Sequence, residues 1–164
     1  MNKLLMSAAM AAMFGAMIPA AQAATTSNNF NVSVTLTSMC EVTNNATTTL
    51  SFGTYIAFQA GAQSSVAPVS LAFRCTRGFA PVSTAFDIVN GTAAGVGVLQ
   101  GLQYSLTTGA AVTVGGTAAT TATIGTGDAV TYSVSGSMPA LQAGACAAAS
   151  CGPTSHVRTL IVTF

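Results

Sequence analysis

The chain has 164 residues, the length of one domain, and only 4% of them are charged. Four Lys and Arg residues against three Asp and Glu residues give a formal net charge of +1. So few cations exclude a nucleic-acid-binding surface, because such a surface needs clustered Lys and Arg to neutralise phosphates. A surface close to neutrality favours association with other molecules, as in a packed fibre.

The first 23 residues have the three parts of a secretory signal peptide. Lys3 supplies the positive charge, residues 4–19 form a short apolar run, and residues 21–23 read A-Q-A, a typical cleavage site. We therefore predict that residues 1–23 are removed during export. No later stretch is long and apolar enough to cross a bilayer, so no membrane span is expected after cleavage.

Residues 30–37 alternate apolar and polar side chains, which predicts a β-strand. Phe30, Val32, Val34 and Leu36 form its apolar face, and Asn, Ser and Thr form the other. The strand lies in an arm, residues 24–39, that precedes the rest of the mature chain. The arm reaches on the order of 50 Å when extended, so it can pair either in its own sheet or in the sheet of another molecule.

Short apolar runs between Gly, Pro and Asn residues predict seven more strands, a spacing typical of a β-sandwich. The last run ends at the C-terminal residue, so we expect one sheet to keep an unpaired edge that can accept another strand. Asn90-Gly91 and Gly115-Gly116 predict turns, and residues 91–101 and 115–127 predict flexible connections. The seven predicted strands are residues 48–53, 66–74, 82–89, 102–107, 111–114, 129–135 and 157–164.

The mature chain has four cysteines, an even number that indicates disulfide bonds in an exported protein. Three pairings are possible, and we favour Cys40 with Cys75 and Cys146 with Cys151. The first pair closes a loop with an entropic stabilisation of about 4 kcal/mol, and the second closes a short loop with about 2 kcal/mol.

Nothing in the sequence indicates catalysis, so we predict that the protein is not an enzyme. Asp87 and Asp128 lie far apart along the chain, and Glu41 is next to a cysteine, which is no arrangement for an acid–base pair. His156 is the only histidine. Cys146, Cys151 and His156 fit no common zinc spacing, so no metal and no cofactor are expected.

Several segments of the mature chain carry recognisable motifs. They are the alternating arm followed by Cys40, then L-S-F-G-T-Y at residues 50–55, a run ending in C-T at 69–76, G-S-M-P-A at 136–140, and R-T-L-I-V-T-F at 158–164. In this order they resemble the spore coat protein U domain family, which includes subunits of Csu-type, or archaic, chaperone–usher pili. Residues 91–128, which are rich in Ala, Gly and Thr, align poorly with that pattern.

The resemblance implies an all-β fold: an incomplete immunoglobulin-like β-sandwich over residues 40–164, completed by donor-strand exchange. The arm of one subunit then fills the cleft of the next, with Phe30, Val32, Val34 and Leu36 as anchors. It also implies three kinds of partner: identical or related pilus subunits, a periplasmic chaperone and an outer-membrane usher. The implied function is that of a structural pilus subunit, exported through the periplasm to the bacterial cell surface for attachment and biofilm formation.

Two other interpretations stay open. One is a self-contained secreted coat or matrix protein whose arm pairs in its own sheet. The other is a secreted carbohydrate-binding module with Tyr55, Tyr104 and Tyr132 as an aromatic platform, although core packing explains aromatic residues on strand patterns more simply. The length of a single domain is too short for a two-domain tip adhesin.

Overall fold

The computed structural model describes residues 27–44, 47–89 and 93–164. Every regular element within these ranges is a β-strand and every strand pairing is antiparallel, which confirms the predicted all-β class. The predicted signal peptide, residues 1–23, and the predicted turn at Asn90-Gly91 lie outside the described residues. The chain divides into two units between Thr35 and Leu36, and all the described strands belong to the second unit.

The strands of this second unit are short, apart from the two seven-residue strands and one strand of eleven residues. They are β1 (Cys40–Val42), β2 (Gln63–Ser64), β3 (Val69–Cys75), β4 (Ser83–Phe86), β5 (Val96–Leu99), β6 (Leu102–Thr108), β7 (Val112–Val114), β8 (Asp128–Met138) and β9 (Leu160–Thr163).

Seven of these strands form a large sheet around β8, in the order β1-β3-β8-β6-β5. One edge of β8 pairs with β3 along residues 128–134 and with β2 along 137–138. The other edge pairs with β7 along residues 129–131 and with β6 along 134–137. The eleven-residue strand β8 is therefore covered by neighbours along both edges.

The sequence of β8 explains its central position. Its even-numbered residues, most of them apolar, are buried on the inner face. Its odd-numbered residues, which are Ala, Thr and Ser, are more exposed on the outer face. Val130, Tyr132, Val134 and Met138 are buried on the inner face, where they form most of the fully buried core. A period-two pattern of this length is what a half-buried central strand requires.

The small sheet consists of β4 and β9 alone. Their register runs from Ser83 opposite Thr163 to Phe86 opposite Leu160. Leu160, Val162 and the following Phe164 pack against the core cluster of the large sheet. The small sheet thus contributes side chains to the core of the large sheet.

Two predicted strands are absent from this arrangement. Residues 30–37 and residues 48–53 form no strand, because a strand needs a ladder of hydrogen bonds to a neighbour. Residues 48–53 are held by isolated contacts instead, such as the 2.7 Å hydrogen bond from the N–H of Val66 to the carbonyl oxygen of Ser51.

One predicted flexible connection is also wrong, because residues 96–99 form β5 within the predicted connection 91–101. Gln100 and Gly101, with φ of 49° and 69°, make a two-residue turn that returns the chain into β6. The second predicted connection, residues 115–127, contains no strand, although Thr117 and Thr126 hold its two sides together by hydrogen bonds.

Candidate strand-acceptor site

The C-terminal strand β9 has an open edge. It pairs with β4 over four residues, from Leu160 to Thr163. Among the residues that the structure describes, no strand pairs with the opposite edge of β9. The backbone N–H and C=O groups along such an edge can pair with an added strand.

The inner faces of the two sheets are buried to different extents. Among the described residues, the six buried apolar ones all come from the large sheet, and Cys75 and Val130 are only 1% exposed. The inner side chains of the small sheet, Leu160 and Val162 with Phe164 beyond them, are only half-buried although they touch the same core. The inner face of β9 is therefore partly accessible to solvent beside its open edge.

The small sheet lies near β5 on its β4 side and near β3 on its β9 side, so the accessible face of β9 is next to β3. On one side, a Cβ added at Gly95, next to β5, would lie 3.0 Å from the Phe86 ring of β4. On the other side, the rings of Phe164 and Phe73 are 6.5 Å apart, so the end of β9 lies against β3. Val69, Leu71 and Phe73 on the inner face of β3 are themselves only half-buried.

Arg158, two residues before β9, joins the small sheet to the large one. Its Nε donates to the Asp87 carboxylate at 2.9 Å, and its Nη1 donates both to the carbonyl of Val96 at 3.1 Å and to the Tyr104 hydroxyl at 2.9 Å. A further bond reaches the backbone carbonyl of Asp87 at 2.9 Å. The guanidinium also lies 5.6 Å from the centroid of the Tyr104 ring. Because its donors are occupied in this way, Arg158 acts as a clamp and not as a ligand-binding cation.

The electrostatics of the clamp favour its charged form. Burial raises the pKa of the Asp87 carboxyl, but a backbone hydrogen bond at Thr159 and the guanidinium of Arg158 outweigh it, so the pKa lies below its ordinary value. Asp87 therefore stays ionised and keeps Arg158 at the start of β9.

Asp128, the first residue of β8, also has a structural role, because its carboxylate holds two backbone segments of the chain. Its carboxylate accepts hydrogen bonds from the N–H groups of Gly116 and Gly78, at 2.6 Å and 2.8 Å. These two bonds, helped by the charge of Arg77, hold the pKa of Asp128 below its ordinary value. The structure thus gives each of the two aspartates its own partners and does not bring them together as a pair.

The Cys40–Cys75 disulfide lies at the root of the arm. The two cysteines are direct partners in the β1–β3 pairing, with their Cα atoms 4.0 Å apart. One residue earlier, Met39 exchanges hydrogen bonds with Thr76, including a 2.8 Å bond from the N–H of Thr76 to the carbonyl of Met39. The second disulfide joins Cys146 to Cys151. This is the pairing favoured from the sequence.

The four predicted anchors, Phe30, Val32, Val34 and Leu36, are exposed, between 76% and 91%. They are not part of any strand. Four large apolar side chains at alternate positions in an exposed segment are an unusual surface for a soluble protein. Their role as donor anchors stays a prediction.

Two of the motif segments contact each other in the fold. The Phe52 ring covers Gly136, where an added Cβ would lie 2.6 Å from the ring. The Tyr55 hydroxyl donates to the carbonyl oxygen of Pro139 at 2.8 Å. The glycine in one segment and the aromatic residues in the other are therefore explained by this packing.

Sequence analysis missed the role of Tyr104 and the residues around it. The Tyr104 ring covers Gly97, its partner in the β5–β6 hairpin, and its hydroxyl lies 3.1 Å from Nδ1 of His156. A glycine opposite a tyrosine is the signal that could have revealed β5, because only a residue without a side chain leaves room for the ring. Within the described ranges, no three potential metal-binding side chains lie together.

These observations define a class of protein: an all-β chain of two antiparallel sheets whose disulfide bonds indicate an oxidising, extracytoplasmic compartment. None of the described residues forms a helix that could span a membrane. A scan against protein-family models found no match, and searches of curated proteins and of solved structures found none either. The resemblance to the spore coat protein U domain family therefore depends on the motifs of the chain itself.

Proposed function

We propose that this protein is a structural subunit of an archaic chaperone–usher pilus, in which the arm of one copy completes the small sheet of the next. The supporting observation is the half-buried inner face of β9 beside its open edge. A donor strand added at this edge would lie over the half-buried inner face of β3, which it would cover. The protein would then be an incomplete immunoglobulin-like sandwich until a second copy completes it.

The free energy available from the arm fits this role. Four apolar anchors contribute about 1.5–3 kcal/mol each on full burial, or about 6–12 kcal/mol together. A typical domain has a total stability of about 5–15 kcal/mol, so one added strand can account for much of it. An isolated subunit would be of low stability and prone to associate, whereas a subunit in the fibre would resist unfolding.

The alternation of the arm also fixes the register of the donor strand. With Phe30, Val32, Val34 and Leu36 inward, the intervening Asn, Ser and Thr side chains face solvent. A slip by one residue would turn all four anchors outward. The polar face can therefore tolerate a charge that the apolar face cannot.

This difference between the faces gives a direct test. The mature chain carrying Val32→Asp and Val34→Asp keeps its own acceptor edge but cannot donate. A peptide of residues 27–39 should raise its Tm by about 10 °C or more, since a domain of this size gains several degrees per kcal/mol. A peptide with Ser33→Asp should still work, and a peptide with Val34→Asp should not. If the wild-type peptide leaves the Tm unchanged, the proposal fails.

Assembly in cells provides the second test. Val34→Asp should abolish fibres while the complex with the periplasmic chaperone still forms, because the acceptor edge is untouched. Ser33→Asp is the matched control and should give normal fibres. Fibres of normal yield from Val34→Asp would rule out the donor role. A wild-type chain that stays monomeric and loses stability when its arm is removed would indicate a self-contained coat protein.

A further inference from the structure

The two disulfides differ in their access to solvent. Cys75 is 1% exposed inside the core, and its partner Cys40 is half-buried. Cys146 and Cys151 are both exposed, and so are all four residues between them. A reductant in solution can therefore reach the second disulfide but not the first, and exposed disulfides are the ones that exchange readily with external thiols.

The exposed disulfide holds two neighbouring residues against one turn. On its N-terminal side, the N–H of Ala145 donates to the carbonyl oxygen of Gln100 at 2.6 Å. On its C-terminal side, the carbonyl oxygen of Gly152 accepts a bond from the side-chain amide of Gln100, also at 2.6 Å. Gln100 is the first residue of the β5–β6 turn, so both sides of the disulfide ring are bonded to the large sheet at this turn, where Ala145 also lies against Gly101.

Gln100 occupies a backbone conformation that few residues adopt without cost. Its φ of 49° lies in the left-handed region, where Gly or Asn is preferred. Glutamine therefore occupies this position although the backbone conformation favours Gly or Asn. Its contact with Gly152 accounts for the presence of glutamine here.

We propose that Cys146–Cys151 is a thiol-exchange site and that its reduction releases the loop from the Gln100 turn. The reductant is a dithiol. One of its thiolates attacks Sγ of either cysteine, forms a mixed disulfide and displaces the other cysteine as a thiolate. The second thiol then resolves the mixed disulfide, so that the reductant leaves as a disulfide and the protein keeps two thiols.

Release follows from the geometry of the ring. The disulfide keeps Ala145 and Gly152 close enough to bond the same residue, and without it the ends of the six-residue segment can separate. Reduction should leave β9 in place, because His156 and Arg158 hold the following segment to Tyr104 by separate contacts. The effect is therefore confined to the connection between β8 and β9.

The test uses the mature chain under native conditions, with dithiothreitol followed by iodoacetamide and peptide mapping. We expect alkylation of Cys146 and Cys151 before any alkylation of Cys40 and Cys75. Amide hydrogen exchange at Ala145 should become about tenfold faster after reduction. Exchange at the N–H of Asp87, which is bonded to Thr159 in the small sheet, should stay unchanged.

Two variants separate the thiol exchange from the release of the loop, that is, from the loss of its bonds to Gln100. Gln100→Gly keeps the turn but removes the side-chain contact, so exchange at Ala145 should be faster even before reduction. Cys146→Ala with Cys151→Ala should show the fast exchange permanently and no response to dithiothreitol. Simultaneous alkylation of all four cysteines would overturn the thiol-exchange site. Selective alkylation without faster exchange at Ala145 would overturn the proposed release of the loop from the Gln100 turn.

Discussion

The large sheet and the small sheet of this protein differ in how far each is complete. In the large sheet, β8 has partners along both edges, and its inner apolar side chains are at most 5% exposed. In the small sheet, β9 has a partner along one edge within the described residues, and its inner side chains are half-buried. The hydrogen bonds and the apolar face of β8 are therefore satisfied within the chain, whereas those of β9 are satisfied only in part.

This difference comes from the neighbours that each strand has in the fold. The side chains of β9 are as apolar as those of β8, so their partial burial is a matter of missing neighbours and not of composition. A face of this kind gains most from an added strand, because the burial it lacks is the burial that a donor supplies. Substitutions in one sheet, or in the link between the two, test this difference.

The largest expected effect is on the large sheet. Replacing Cys40 and Cys75 by Ala should lower the free energy of unfolding by about 4 kcal/mol, because the disulfide spans 35 residues. Replacing Cys146 and Cys151 by Ala should cost about 2 kcal/mol at most, because that loop spans only five. Urea denaturation of both double variants checks the order. Equal losses would show that the disulfide between β1 and β3 stabilises the fold no more than the disulfide of the exposed loop.

The next effect concerns the link between the sheets. Arg158→Met should cost about 3 kcal/mol, because it leaves the partly buried Asp87 carboxylate without its counter-charge. Arg158→Lys should recover only part of this, since an ammonium group cannot reproduce the several bonds of the guanidinium. Thermal unfolding of the two variants provides the measurement. Full recovery with lysine would mean that charge alone, without geometry, joins the sheets.

A matched pair of truncations compares the two cores directly. Val130→Ala in the large sheet should cost about 2 kcal/mol, whereas Val162→Ala in the half-buried small sheet should cost about 1 kcal/mol. Both variants are measured by urea denaturation, with and without the peptide of residues 27–39. If the donor strand covers β9, the peptide should raise the cost of Val162→Ala towards that of Val130→Ala. An unchanged cost would place the added strand elsewhere or nowhere.

The smallest expected effect is a dependence of stability on pH at Asp128. Its pKa is lowered in the folded protein, so its contribution is present above the pKa of the unfolded state, about 4, and is lost as the pH falls through the folded value. Asp128→Asn, which can accept only one of the two glycine bonds, should therefore lower the Tm at pH 7, and this deficit should shrink as the pH falls towards 2. A deficit of the same size at both values would show that the carboxylate charge is irrelevant there.

The strands that sequence analysis predicted well share a feature of β8. Residues 129–135, 102–107 and 66–74 correspond to β8, β6 and β3, whose alternating apolar residues are set by the single buried face of the large sheet. β4, β7 and β9 were also predicted, each too long by one to four residues. Strand ends are decided by where a neighbour stops pairing, and a local pattern carries no information on that.

The strands that sequence analysis missed are those that depend on their neighbours. β1 and β2 have three and two residues, too few for any period to be detected. β5 contains Gly97, which reads as a flexible residue until the Tyr104 ring is seen over it. For the candidate site, the alternating apolar residues of the arm, whose role as anchors stays a prediction, and the even set of cysteines could be read from the sequence. The Arg158 clamp could not, because its partners come from three distant segments.

The sequence by itself indicated the all-β class, the apolar face of the arm and a favoured pairing of the cysteines, and it predicts an export signal at residues 1–23. These follow from local composition and spacing, which short-range chemistry decides. Only the tertiary structure decided which strand leaves an edge unpaired among the described residues, namely β9, that the inner face of β9 is half-buried and that Arg158 joins the two sheets. Those features depend on which segments, far apart along the chain, become neighbours in space, and the pattern of any one segment does not contain that information.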